Sequence, residues 1–236
     1  MVKKRKISFR RYILSFFLSS FIFLLGLLVG FTLTNYRTSY LEDIAYKQKI
    51  DYESLQLQSL YLDISSSNQS CFVFNDILET SLNDVGSAQA KVDLYIKESS
   101  SEDYIKIKRD YILAQIRYWL LNKKISELCN LDNVAVLYFY SNKDCPDCGI
   151  EGTLLTYLKQ NLKDRLLVFS IDSDFKEEPM VNIIKSSYNI TKVPSLVIKD
   201  KKIEGLITLE NLSKTICSLY SLKPDYCSNY INSSSS

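Results

Sequence analysis

The chain has 236 residues, of which 29 are basic and 27 acidic, and it contains no histidine. Without histidine, protease chemistry through a Cys-His pair is excluded, and so is any zinc site that needs imidazole ligands. Six of the basic residues lie within the first eleven positions, which leaves 23 basic and 27 acidic residues beyond them. That remainder has no basic stripe for nucleic acid, so we expect no nucleic-acid partner.

A charge-free run of 25 residues, 12–36, follows the basic tail of residues 1–11. A membrane-spanning helix needs about 20 mostly apolar residues, so the run predicts one transmembrane anchor. Basic residues favour the cytoplasmic side, which predicts a cytoplasmic N-terminus and an extracytoplasmic remainder. The alternative is a cleaved signal peptide, although the run is long and lacks a clear small-residue cleavage site. Gly26 and Gly30 form a G-x-x-x-G motif, which would let two such helices pair as a homodimer.

Residues 37–130 are predicted to form a helical extracytoplasmic region, because they contain no proline and one glycine. We expect helices over residues 41–64, 72–98 and 102–129. If the last two are antiparallel, a disulfide between Cys71 and Cys129 would close a loop of about 59 residues and contribute roughly 4 kcal/mol. Alternatively, one of these cysteines is a free thiol that serves another cysteine pair.

Beyond residue 130 the pattern changes to alternating strands and helices over residues 131–222, followed by a C-terminal tail of residues 223–236. Two apolar strands joined by a helix predict a parallel βαβ unit, and the full order βαβαββα predicts an α/β domain. The expected strands are 133–141, 165–172, 195–199 and 203–207; the expected helices are 148–163, 179–188 and 209–220; a turn is expected at Asp200-Lys201-Lys202.

The motif Cys145-Pro146-Asp147-Cys148 stands between the first of these strands and the helix after it. Cys145 is thereby predicted at a helix N-terminus, which stabilises a thiolate, the reactive form of cysteine. Cys145 would be the exposed nucleophile and Cys148, one turn into the helix, the resolving thiol. Pro146 suits the first helical position. Further ligands at a zinc-like spacing are missing, so no metal is expected.

This C-x-x-C in its βαβ frame, together with Val193-Pro194 just before the hairpin, resembles the thioredoxin-like superfamily. The resemblance covers residues 131–222 and implies that Pro194 is a cis-proline facing the redox pair and that Val193 docks substrate through its backbone. It also implies a thiol-disulfide oxidoreductase that uses no cofactor and acts on protein thiols or disulfides. Two positions depart from the family: Asp144 stands where thioredoxin has tryptophan, and Phe139 stands where thioredoxin has a buried acid.

The two aspartates that flank the pair bear on the direction of exchange. At about 7 Å, Asp144 and Asp147 would each oppose a thiolate by roughly 2.4 kcal/mol at an effective dielectric constant of about 20, against a helix-terminus benefit of about 0.3 to 1 kcal/mol. We therefore predict a reductase or isomerase, supplied by an electron donor in the membrane. The alternative is a membrane-tethered scaffold or binding module in which Cys145 and Cys148 form an inert bridge.

The remaining cysteines, Cys217 and Cys227, bracket the end of the last helix. Disulfides persist outside the cytosol, so we expect a structural bridge here that closes about 11 residues and contributes about 2.8 kcal/mol. The alternative is an electron relay to the redox pair.

Overall fold

The structure is a computed structural model that describes residue 10, residues 12–32, residues 52 and 56, residues 71–95 and residues 102–231. The helix expected over residues 41–64 lies outside the described residues, apart from two isolated positions. Residues 33–36 of the expected anchor and residues 232–236 of the C-terminal tail also lie outside the described residues. The chain has two compact units, residues 1–64 and residues 65–236.

In the first unit the described helix, α1, spans Tyr12–Thr32 and has a mean hydropathy of 2.4. Its apolar side chains are not buried within the chain. At 1.5 Å per residue, 21 residues extend about 31 Å, which matches the hydrocarbon core of a bilayer. By length and composition, α1 is able to cross a membrane.

In the second unit, two long helices form an antiparallel hairpin: α2 spans Cys71–Tyr95 and α3 spans Glu102–Cys129. Two acids in the first turn of α3, Glu102 and Asp103, complement the positive end of its dipole. A disulfide joins Cys71 to Cys129 at one end of the hairpin, with 5.7 Å between their Cα atoms. Neither cysteine is therefore a free thiol in this structure.

The α/β part of this unit has the predicted order of strands and helices. Its elements are β1 (Val134–Tyr140), α4 (Pro146–Leu162), β2 (Leu166–Asp172), α5 (Pro179–Ser187), β3 (Ser195–Ile198), β4 (Lys201–Glu204), α6 (Leu209–Ser218) and α7 (Ser228–Ile231). The strand order in the sheet is β2-β1-β3-β4. β1 and β2 are parallel, as the βαβ pattern predicts, whereas β3 pairs antiparallel with both β1 and β4. The sheet is therefore mixed.

The turn between β3 and β4 differs from the expectation. It consists of Lys199 and Asp200, while Lys201 and Lys202 already belong to β4. Both turn residues have positive φ, 45° and 63°. A two-residue hairpin turn that matches the strand twist requires positive φ at both positions. The sequence has no glycine at either turn position to indicate this conformation. The expected turn, Asp200-Lys201-Lys202, therefore begins one residue later than the observed turn and is one residue longer.

Side chains alternate between the two faces of the sheet, and each face is covered by two helices. On one face, Leu137 and Phe139 of β1 join a buried cluster with residues of α3 and α5. On the other face, Val136 and Tyr138 join a cluster with residues of α4 and α6. Helix α3 is thus a layer of the α/β core, and the boundary expected at residue 130 falls inside one compact unit.

Candidate active site

The redox motif lies where β1 leads into α4. Cys145 occupies the N-cap position of α4 and Pro146 the first helical position, as the sequence predicts. Cys145 and Cys148 form a disulfide with a Cα–Cα distance of 5.3 Å. Cys145 is partly exposed, whereas Cys148 is buried, with 5% exposure. Of the two sulfur-bearing residues, only Cys145 is accessible to a partner chain.

The buried half of the motif is held by β1. The Tyr138 hydroxyl donates a hydrogen bond to the carbonyl oxygen of Cys148. Burial, together with the nearby Glu151 carboxylate, raises the pKa of Tyr138 to about 12, so this hydroxyl stays protonated at physiological pH. The first turn of α4 is therefore fixed to the sheet at the resolving cysteine.

A buried acid lies one helical turn beyond Cys148. The side chain of Glu151 is fully buried, and its Oε2 accepts a hydrogen bond from the Ile207 backbone N–H at 3.1 Å. Its Oε1 has no hydrogen-bond partner among the described residues. Burial raises the pKa of this carboxyl, and the Ile207 hydrogen bond offsets only part of the rise. An uncompensated buried carboxyl is costly and is typical of functional sites.

Sequence reasoning missed Glu151. The family resemblance implies a buried acid on β1, but the corresponding residue of this chain is Phe139, an apolar core residue with no exposed surface. The signal that could have found Glu151 is its spacing: residues three apart on a helix share a face, so Cys148 and Glu151 point toward the same surroundings.

The segment ahead of β3 lies at the same edge of the sheet as the redox motif. β3 runs antiparallel to β1 with Ser195 opposite Phe139, so Pro194 is level with the end of β1. The Val193-Pro194 peptide bond is cis. The Pro194 carbonyl accepts a hydrogen bond from the Gly205 N–H at 2.8 Å, while Val193 is partly buried against the α3 face. Both segments therefore lie at the same edge of the sheet.

The flanking acids Asp144 and Asp147 are both exposed. Asp144 has a φ of 48°, in the left-handed region that aspartate tolerates better than most residues. This conformation turns the chain between β1 and the N-cap cysteine. The two carboxylates remain in solvent, where their effect on a thiolate is weakened by screening.

The other cysteines form two bridges away from the redox motif. Besides Cys71–Cys129, a disulfide joins Cys217 at the end of α6 to Cys227, and both of these cysteines are fully buried. Full burial suits a structural bridge that fixes the C-terminal segment.

A separate cavity of about 430 Å³ lies at the opposite edge of the sheet, near the start of β1 and the β3–β4 turn. Trp119 and Tyr188 form its aromatic wall, and their rings are 6.4 Å apart. Its principal charges pair with each other, because Lys123 Nζ lies 2.7 Å from Asp200 Oδ1. The cavity contains none of the redox residues. Within the described part of the chain, no group of three or more Cys, Asp or Glu side chains could hold a metal ion.

Comparisons with known proteins add little to this geometry. The sequence matches no protein-family model and no curated protein. Among solved structures, similar ones include a chain described as "Structure of a malarial protein", at 17% identity over 38% of this chain and 99% of that one, with a TM-score of 0.31. Another is chloroplastic thioredoxin z, at 19% identity over 42% of this chain and 88% of that one, with a TM-score of 0.33. TM-scores this low do not establish a shared fold.

Proposed function

We propose that the protein is a membrane-anchored thiol-disulfide oxidoreductase with a thioredoxin-like domain, and that Cys145 and Cys148 are its redox pair. The observation that carries the proposal is the asymmetry of this disulfide. Its first cysteine is partly exposed at a helix N-terminus, and its second is buried one turn before a buried carboxyl. The βαβαββα order and the cis Val193-Pro194 bond at the same sheet edge support the family assignment.

In the reductive direction, the Cys145 thiolate attacks one sulfur of a substrate disulfide, forming a mixed disulfide and releasing one substrate thiolate. Cys148 then loses its proton and attacks Cys145 Sγ, which releases the second substrate thiolate and forms the Cys145–Cys148 disulfide. Two electrons pass to the substrate, and its thiolates take up protons. We assign Glu151 as the acceptor of the Cys148 proton, because it follows Cys148 by three residues on the same helix and its buried Oε1 has no hydrogen-bond partner among the described residues.

The substrate is a protein thiol or disulfide that docks against the exposed edge of this site. An extended partner would lie along the backbone of Val193 and bring its cysteine to Cys145. The direction proposed is that of a reductase or isomerase, because the buried Glu151 and, more weakly, the solvent-screened Asp144 and Asp147 oppose extra negative charge on sulfur. A membrane electron donor would keep such a pair reduced. An equilibrium potential near −120 mV, typical of strong oxidants, would contradict this direction.

Helix α1 supports a single-pass anchor, and the Lys- and Arg-rich residues before it support a cytoplasmic N-terminus. The redox domain would then face the extracytoplasmic side. Gly26 and Gly30 have open space around them within the chain, as a helix-dimer interface through these glycines would require. Labelling of Cys145 in intact cells by a membrane-impermeant thiol reagent, after mild reduction, tests the orientation.

Substrate trapping tests the function. A Cys148→Ser variant of the full-length protein should accumulate mixed disulfides through Cys145, and these should disappear on reduction and in a Cys145→Ser/Cys148→Ser control. The wild-type protein should also catalyse reduction of an insulin-type substrate. If no mixed disulfide forms and insulin is not reduced, the pair is an inert bridge and the protein is a scaffold or binding module.

A further inference from the structure

The loop of residues 141–144 carries the chain from β1 to Cys145 and is held by two acids at the end of β2. The Asn142 side chain donates a hydrogen bond to Asp172 Oδ2 at 3.1 Å. The Ser141 hydroxyl donates to Asp174 Oδ2 at 2.6 Å and accepts from the Lys143 N–H at 2.8 Å. The position of Cys145 is therefore set partly by carboxylates on the neighbouring strand and the turn after it.

One of these carboxylates needs a counter-charge. The Asp172 side chain is 7% exposed and forms an ion pair with Lys108 of α3, whose side chain is 14% exposed. Lys108 Nζ and Asn142 Nδ2 share the same oxygen of Asp172, and the other oxygen accepts from the Asp174 N–H at 3.0 Å. Without the ammonium group, this buried carboxylate would lose its compensating charge and would move toward water. That movement would weaken its hold on Asn142.

We propose that Lys108 is a positioning residue for Cys145, an inference that rests on the function proposed above. Lys108 belongs to the helix on the opposite face of the sheet from α4, and it acts through Asp172 and Asn142. Its ammonium group compensates the buried carboxylate of Asp172 and holds that side chain in place, and Asp172 fixes the loop that ends at the nucleophile. Helix α3 thus contributes to the position of Cys145 in addition to packing in the core.

The adjacent residue provides a matched control. Arg109 also makes an ion pair from α3, at 2.9 Å to Glu178, whose side chain is 4% exposed. Glu178 caps the N-terminus of α5 by accepting from the Met180 N–H. Like Lys108 and Asp172, this pair joins a basic residue of α3 to a buried acid. Its acid lies at the N-terminus of α5, however, and the pair makes no described contact with the loop of residues 141–144.

The test uses the full-length protein in detergent in a Cys148→Ser background, so that Cys145 is a free thiol while the other two disulfides stay intact. The rate of iodoacetamide alkylation at Cys145 is measured against pH and read by peptide mass spectrometry. Lys108→Met should lower the rate at pH 7 by about tenfold, equivalent to a shift of about one pKa unit. Arg109→Met should leave the profile unchanged. The charged residues of the preceding loop, of the first turns of α4 and of the segment before Pro194 are common to all variants: Lys143, Asp144, Asp147, Glu151 and Lys192.

Two further variants keep the proposal testable if Lys108→Met folds poorly. Lys108→Met/Asp172→Asn removes both charges and keeps both hydrogen bonds, because the new amide oxygen can accept from the Asp174 N–H while its NH2 group donates to the rotated amide of Asn142, so it should restore the parent profile. Asn142→Ala removes an exposed link and leaves the ion pair, so it should slow alkylation in the same direction as Lys108→Met. Equal profiles for Lys108→Met and Arg109→Met, or no effect of Asn142→Ala, would overturn the proposal. Failure of the parent Cys148→Ser protein to trap any mixed disulfide through Cys145 would instead count against the proposed function itself.

Discussion

The side-chain amide of Gln115 on α3 hydrogen-bonds to the backbone N–H and C=O of Ser170 on β2, as a neighbouring strand would. Gln115 Nε2 donates to the Ser170 carbonyl oxygen at 3.2 Å, and Gln115 Oε1 accepts from the Ser170 N–H at 3.0 Å. β2 is the outermost strand on this side of the described sheet, so its outward backbone groups need partners from elsewhere. Gln115 is 3% exposed, and its primary amide supplies the same donor and acceptor as a peptide unit.

Gln115→Leu should therefore destabilise the domain. The substitution keeps the side-chain volume nearly constant but leaves the N–H and C=O groups of the partly buried Ser170 without their partner, at a cost of roughly 1 to 3 kcal/mol. Chemical unfolding of the full-length protein in detergent, followed by fluorescence of the single tryptophan, Trp119, measures the loss. Gln160→Leu, an exposed glutamine on α4, is the control and should change stability by less than about 0.5 kcal/mol. Equal effects of the two substitutions would contradict this account of Gln115.

The two structural disulfides should differ in their contribution to stability because they close loops of different length. Cys71 and Cys129 are 58 residues apart, whereas Cys217 and Cys227 are 10 apart. The chain-entropy estimate gives roughly 4 kcal/mol for the first and about 2.8 kcal/mol for the second. Unfolding midpoints of the two paired Cys→Ala variants should rank in that order, with Cys145 alkylation unchanged in both. A redox defect in Cys217→Ala/Cys227→Ala would instead support the electron-relay alternative.

Asp132 ties the loop before β1 to the segment after α6. Burial acts to raise its pKa, but the N–H groups of Leu222 and Ser221 and the Arg165 guanidinium outweigh burial and lower it. Its folded pKa is below the unfolded value, so its stabilisation is present above about pH 3.9 and is lost as pH falls through the folded pKa. Asp132→Asn should cost about 1 to 3 kcal/mol at pH 7.

Unfolding of Asp132→Asn and of the wild type at two pH values tests whether the stabilisation by Asp132 is lost at low pH. The difference in unfolding free energy between wild type and Asp132→Asn should be largest at pH 7 and should shrink below pH 4. A difference independent of pH would mean that the negative charge of Asp132 contributes nothing and that only its hydrogen-bond geometry matters.

Local sequence patterns predict the elements of this chain well because each pattern has a local cause. The apolar run of β1, the proline after Cys145 and the apolar face of α4 all depend on near neighbours. The role of α3, by contrast, depends on residues that are far away in the sequence. Its apolar stripe shows that one face is buried, but the partner surface depends on contacts such as Gln115 with Ser170, 55 residues apart. The ion pair of Lys108 with Asp172 is equally invisible, because a charged residue on a helix is usually solvated.

Glu151 is the residue whose environment differs most from what the sequence predicts. A glutamate on a helix reads as a surface residue, yet this one is fully buried because α4, the sheet and the segment around Ile207 enclose it. Burial raises its folded pKa above the unfolded value. The native state therefore binds the extra proton between these two pKa values, and stability falls as pH rises through that window.

Glu151→Gln should remove this penalty and the pH dependence with it, raising stability at pH 7 by an amount on the order of 1 kcal/mol. The same change should slow resolution of a mixed disulfide by about 100-fold, because Cys148 loses its proton acceptor. Stopped-flow release of a small aromatic thiol, preloaded on Cys145 of the otherwise reduced pair, measures that step. Asp147→Asn, which removes an exposed acid in the first turn of the same helix, should change neither the stability nor the resolution rate to a comparable extent. If the Glu151→Gln protein is less stable and resolves the mixed disulfide at the wild-type rate, the carboxyl is structural and serves only to accept the Ile207 hydrogen bond.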